Sequence, residues 1–225
     1  MSLSEGFSKT LDDVVPKAVA FGTLHANERD ILVFSLYDGD IFTLRGGKQV
    51  DKPCNVGALI GDVAVDVHKK VLCMDDPSTG ANLYRLDGKN IVHIKTFKVA
   101  VTKRKRARQV AFVDEGRKVV CGSDHGIVYM FDRRSGEVVD ELKVDVQEWV
   151  QTLTVSEHDG TCTIYAAKSR DLDGPNHISV WRKRPSRRFG AWGFLCGVVV
   201  TATLTTMILL AMVVHQYRYM FVRAI

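Results

Sequence analysis

The sequence has no Walker loop, no G-x-S-x-G, no H-E-x-x-H and no G-x-G-x-x-G. Those absences remove the motif-borne forms of nucleotide binding, serine hydrolysis, zinc proteolysis and dinucleotide binding. Its five cysteines (Cys54, Cys73, Cys121, Cys162 and Cys196) are odd in number, far apart and never spaced C-x-x-C. Disulfide frameworks and zinc sites show denser spacing, so reduced thiols in a cytosolic body are the simpler reading. None of the five asparagines lies in an N-x-Ser/Thr acceptor. The N-terminus, "MSLSEGFSKTLDD", carries acids where a signal peptide needs an apolar core. No cofactor, no metal and no enzymatic activity are expected.

A second absence is sharper. Residues 182–225 contain seven Lys/Arg and not one Asp or Glu. The other 24 cations lie in residues 1–181 with all 26 acids, so the body carries −2 and the net +5 comes from the C-terminal end. Nucleic-acid binding by the body is therefore disfavoured. Phe189–Val214 runs 26 residues without a charge. As a helix it would be about 39 Å long, against about 30 Å of hydrocarbon. Aromatic residues flank it, Phe189 and Trp192 before, Tyr217 and Tyr219 after. Arg182, Lys183, Arg184, Arg187 and Arg188 precede the run and only Arg218 and Arg223 follow it, which predicts a cytosolic body. The same five cations suit anionic headgroups. With 11 residues after Val214, post-translational tail anchoring is expected, in the endoplasmic reticulum or another endomembrane rather than the mitochondrial outer membrane. Gly193, Gly197 and Thr201 form a small-residue stripe that suits helix pairing, and so a homodimer.

What is present before residue 182 is a repeat. "GDIFTLRGG" (39–47), "ANLYRLDGK" (81–89), "IVYMFDRRSG" (127–136) and "ISVWRKR" (178–184) align. Matching their last apolar strand residues puts Thr43, Arg85, Phe131 and Trp181 in register, at intervals of 42, 46 and 50. Turn residues precede each copy: Asp38-Gly39, Ser78-Thr79-Gly80, Asp124-His125-Gly126 and Asp173-Gly174. In the third copy "RQVAFV", "RKVVCG", "GIVYMFD" and "GEVVDEL" read as four short strands. A period near 40–45 residues with four strands is the sequence signature of a propeller blade.

"CGSDHGIVYMFDRRSG" resembles the GS-x-DG-x-V-x-V-W-D-x-x-x-G core of WD repeats, and "ISVWRK" resembles a second copy. The resemblance covers most of residues 14–182. Three departures stand out: no Gly-His precedes the third repeat, Phe131 stands where Trp is usual, and Arg182 replaces the usual Asp. The side-chain tetrad that braces many WD blades is therefore expected to be incomplete.

The predicted fold class is all-β: about four β-propeller blades, a partial or small propeller, followed by a single transmembrane α-helix. The predicted segments are blades at 14–182, a basic linker at 183–188, the helix at 189–214 and a tail at 215–225. In the fourth copy "KRPSRRFGAW" stands where an outer strand belongs. Asp124-His125 reads as a strand-connecting turn rather than a catalytic pair. Asp12-Asp13 and Asp75-Asp76 read as solvated loop acids, with no further ligands spaced around them. "KRKRAR" is expected in an inter-blade loop. Its Lys103, Arg104, Lys105, Arg106 and Arg108 are candidate contacts for a partner or lipid, with Arg182, Lys183, Arg184, Arg187 and Arg188. The expected partners are an unidentified protein and the lipid bilayer. Three readings stay open: a membrane-anchored interaction scaffold, an exchange-factor-like regulator of a small GTPase, and a truncated propeller paralogue.

Overall fold

A computed structural model describes residues 6–87, 90–100, 105–144, 148–169 and 178–183, with helical positions at 203, 205–208 and 211–212. The chain divides into two units, Met1–Arg184 and Pro185–Ile225. In the first unit every described element is a strand. Four antiparallel sheets follow one another along the chain.

The first blade holds β1 (Pro16–His25), β2 (Glu28–Ser35), β3 (Asp40–Arg45) and a divided outer strand, β4 (Lys48–Gln49) and β5 (Cys54–Asn55), both paired with β3. The second holds β6 (Val63–Asp66), β7 (Val71–Asp76), β8 (Gly80–Asp87) and β9 (Asn90–Lys98). The third holds β10 (Val110–Val113), β11 (Lys118–Cys121), β12 (Ile127–Asp132) and β13 (Val138–Lys143). The fourth has three described strands, β14 (Trp149–His158), β15 (Thr161–Ser169) and β16 (Ile178–Lys183). This is an all-β, four-blade propeller fold.

The blades stack because each middle strand is apolar on both faces, as strands covered on both sides must be. In β12, Tyr129 and Phe131 turn to the second blade, while Val128 and Met130 turn to the fourth. Phe97 and Phe131 meet across the second seam with ring centroids 5.2 Å apart. At Gly122 the third blade's backbone passes close against the fourth: a Cβ there would run into the Val150 carbonyl.

The register differs from the sequence alignment in two blades. The third-strand residues on the leading face, which in the second, third and fourth blades meets the preceding blade, are Phe42, Tyr84, Phe131 and Trp181. They lie opposite Val33, Leu72, Val119 and Ile164. All four are aromatic. Thr43 and Arg85 sit one residue further on and so point to the other face of the sheet.

Three apolar cores fill the seams between successive blades. A fourth cluster is different. Val33, Phe42 and Leu44 on the outer face of the first blade are covered by Leu11 and Val14, from the chain's own N-terminal segment. The opposite end, the free face of the fourth blade, carries no such cluster among the described residues.

In the second unit, the positions described are helical, and the Thr206 hydroxyl donates to the Thr203 carbonyl at 2.9 Å. Among the described residues no helix is long and apolar enough to cross a membrane. Most of 189–214, with Gly193, Gly197 and Thr201, lies outside the described residues.

Candidate functional site

Of the basic cluster, Lys103 and Arg104 lie outside the described residues, as do Arg184, Arg187 and Arg188. Lys105, Arg106 and Arg108 lie between β9 and β10, in the loop joining the second and third blades. They do three different things. Lys105 is exposed. The Arg106 guanidinium sits over the Trp149 ring, 4.6 Å from its centroid, and so reaches the fourth blade. Arg108 is turned inward, its side chain 2% exposed.

Arg108 fastens the second seam. Its backbone N–H donates to Asp75 Oδ2 at 2.7 Å, its Nε to Asp75 Oδ1 at 2.9 Å, and its terminal nitrogen to the Asp76 carbonyl at 2.7 Å. Gly61 makes room for this, since a Cβ there would meet the Asp75 carboxylate. Burial pushes the Asp75 carboxyl up to about 6, against the opposing pull of Arg108. Asp75 is therefore no solvated loop acid: it lies fully buried in β7, next to the strand's last residue, and Arg108 is committed to it. Asp76 is buried as well, and takes the Ser78 N–H and the Thr79 hydroxyl. Asp12 and Asp13 are exposed, as expected.

A second device repeats along the inner strands. Asp62 Oδ2 accepts the Val110 N–H of the next blade at 3.0 Å. Gln109 Oε1 accepts the Leu153 N–H of the blade after that at 2.6 Å. Each residue stands just before its inner strand and reaches forward by one blade. In the fourth blade Gln151, the third residue of β14, turns its Oε1 to the Ser169 hydroxyl of its own sheet at 3.0 Å instead. Sequence reasoning passed over Asp62 and Gln109. Their signal was a polar residue just ahead of an apolar strand.

The Asp124-His125 turn is part of a chain. His125 Nδ1 lies 2.8 Å from Asp124 Oδ1, and His125 Nε2 lies 2.8 Å from Tyr129 Oη. Ser123 Oγ accepts the Ile127 N–H and closes the turn beneath. The chain ends on a phenol that packs along Phe131 and is pushed up by burial. Its chemistry is that of a braced turn.

On the other edge, the strand-connecting turns grip one another. The Lys69 ammonium donates to the Glu115 carbonyl, and the Glu157 carboxylate accepts the Asp114 and Glu115 N–H groups. Arg182 and Lys183 are exposed on β16. Lys183 is pushed below the usual lysine range by its hydrogen bond with Lys118 and by that neighbour's charge. Buried Cys73 and Cys121 are pushed up by desolvation, which leaves both as unreactive thiols. Among the described residues no group of three His, Cys, Asp or Glu could hold a metal ion.

No protein-family model and no curated protein matches the chain. Solved structures match its fold. The β-propeller domain of Cps50 (Swd1) of Myceliophteria thermophila superposes with a TM-score of 0.50 at 12% identity, over 75% of this chain and 59% of that one. The hydrazine synthase of Kuenenia stuttgartiensis does so at 0.50 and 11% identity, over 69% of this chain and 48% of that one. The computationally designed Ika8 protein gives 0.50 and 12%, over 77% of this chain and 48% of that one. The chain thus spans about half to three-fifths of the length of the structures it resembles. At such identities the likeness is one of fold.

Proposed function

We propose that the chain is a non-catalytic protein-interaction scaffold: WD-repeat-like blades held on the cytosolic face of a membrane by residues 189–214. The observation that carries the scaffold reading is how the body's ionisable groups are used. Arg108, Asp75, Asp62, His125 and Glu157 all hold blades or turns together, and no convergent acid, base and nucleophile stands among the described residues. What remains for a partner is loop surface, with Lys105 and Arg106 beside Trp149. The membrane half of the reading is supported by the charge-free run and its basic flank alone.

Two measurements test the two halves separately. A glycosylation acceptor appended after Ile225 should be modified in endoplasmic reticulum membranes, and one placed at residue 160 should not. The reverse pattern contradicts the topology. Deleting 189–214 should release the body from carbonate-washed membranes. For the scaffold, in-cell crosslinking of the anchored chain should yield a specific partner lost from a Lys105→Glu, Arg106→Glu variant. Turnover of a nucleotide or ester by the purified chain would contradict the non-catalytic reading.

A further inference from the structure

We propose that Lys183 is a modification site: its side-chain amine accepts acyl groups from thioester donors ahead of the other described lysines. The site is built by the seam between the third and fourth blades, and needs neither a partner nor the membrane anchor.

Two lysines face each other across that seam. Lys118 opens β11 and lies opposite Val113, whose side chain belongs to the apolar core between these blades. Lys183 ends β16 and lies opposite Cys162, which packs against the same core from the other side. Ladder partners share a face of the sheet, so Lys118 turns to the fourth blade and Lys183 to the third. Their amines meet in a side-chain hydrogen bond. Asp114 Oδ2 lies 3.2 Å from the Lys118 nitrogen, and Asp114 Oδ1 lies 2.6 Å from the Arg117 guanidinium. Glu157, the other acid of this corner, is turned to the Asp114 and Glu115 N–H groups. Three basic side chains thus share one carboxylate that pairs directly with two of them.

Two amines in hydrogen-bond contact cannot both be ammonium, because an ammonium has donors and no lone pair. Asp114 decides which one keeps the proton. Against the downward push of burial, the contacts with Lys183 and Asp114 hold Lys118 above the usual lysine range. For Lys183 the Lys118 hydrogen bond and charge act together with burial and hold it below that range. A lysine beside another cation is a nucleophile at neutral pH, and Lys183 is exposed where a small donor can reach it. Other lysines are placed differently. Lys69 pairs with Asp66 at 3.3 Å and donates to the Glu115 carbonyl, and Lys95 donates to the Arg134 carbonyl at 2.6 Å.

In the reaction, rotation of the Lys183 side chain frees its lone pair and the nitrogen attacks the thioester carbonyl carbon. A C–N bond forms, the C–S bond breaks, and the departing thiolate receives the proton that the nitrogen loses. The resulting amide is neutral and stable, so the chain is acylated once at this site and turns nothing over. Its carbonyl oxygen accepts from the Lys118 ammonium, which replaces a contact between two bases with a charge-assisted hydrogen bond.

The test treats the full chain in detergent with acetyl-coenzyme A and follows each lysine by peptide mass spectrometry. At pH 7.5 Lys183 should be acetylated about tenfold faster than exposed Lys70. The gap should close as pH approaches 10.5, the ordinary lysine value. Lys118→Met removes the neighbouring charge and should bring Lys183 down to the Lys70 rate. Lys118→Arg keeps a cation that does not give up its proton, and should preserve the advantage with unchanged circular dichroism. The wild-type pH profile is decisive even if Lys118→Met fails to fold: a Lys183 profile that coincides with that of Lys70 overturns the proposal. So does an advantage that survives in a folded Lys118→Met chain, which would assign it to exposure alone.

Discussion

The seam between the second and third blades and the free face of the fourth are built from the same kind of sheet, yet they differ in what stands opposite. At the seam, Phe97 meets Phe131 and the Arg108 guanidinium closes on Asp75. At the free face, Ile178 and Val180 look outward, and Thr152 and Thr154 are exposed on the inner strand. A blade is therefore not a stable unit by itself. Its second face needs a neighbour, as in any solenoid or ring of repeats, and stability is carried by the seams rather than the sheets. The first blade illustrates the halfway case, with part of its outer face covered by Leu11 and Val14.

The largest way to break the seam is Arg108→Ala. It strands the Asp75 carboxylate in the interior, and the unfolding free energy of the full chain in detergent should fall by about 3–5 kcal/mol in urea titrations. Replacing both partners, Arg108→Met with Asp75→Leu, should recover most of that loss, since a well-packed apolar pair carries no desolvation cost. Phe131→Ala should cost about 3–5 kcal/mol through the cavity it leaves against Phe97, while Phe131→Leu should cost far less. At the capped end, Leu11→Ala with Val14→Ala removes contacts that are only half-buried. A loss of about 1–2 kcal/mol is expected there. Thr154→Ala, on the bare face, should change monomer stability by less than about 0.5 kcal/mol.

Acidity sharpens the same contrast. The Asp75 carboxyl lies at about 6 in the folded chain, above its usual value of 3.8, so folding takes up a proton there. Its contribution to stability is full below the unfolded value and is lost as pH rises through 6. The urea midpoint should therefore climb as pH is lowered from 7.5 to 5.5, and Asp75→Asn should flatten that climb. Asp114 works in the opposite sense. Against the upward push of burial, Lys118 and Arg117 hold it below 3.8, so its contribution persists on acidification until pH falls through that lowered value.

The β character, the four copies and their turns could be read from the chain because strand alternation and turn chemistry are local. The exact register could not. In "IFTLR" and "LYRLD" apolar side chains lie on both faces, so the pattern alone does not tell which face meets the preceding blade. That is how Thr43 and Arg85 stood in for Phe42 and Tyr84. The Asp75–Arg108 pair was hidden for another reason. Adjacent aspartates look like a solvated turn and a basic run looks like surface, and only the tertiary fold brings the two together across 33 residues. Asp62 and Gln109 carried a signal that repeats, but a polar residue ahead of a strand is too common a feature to stand out before the blades are in place.

Amide hydrogen exchange compared along the strands tests most directly whether the seams hold this molecule. β7, β8, β11 and β12, which have a blade on each side, should exchange slowest, and β1 and β16 faster by orders of magnitude. Equal protection of all sixteen described strands would contradict it.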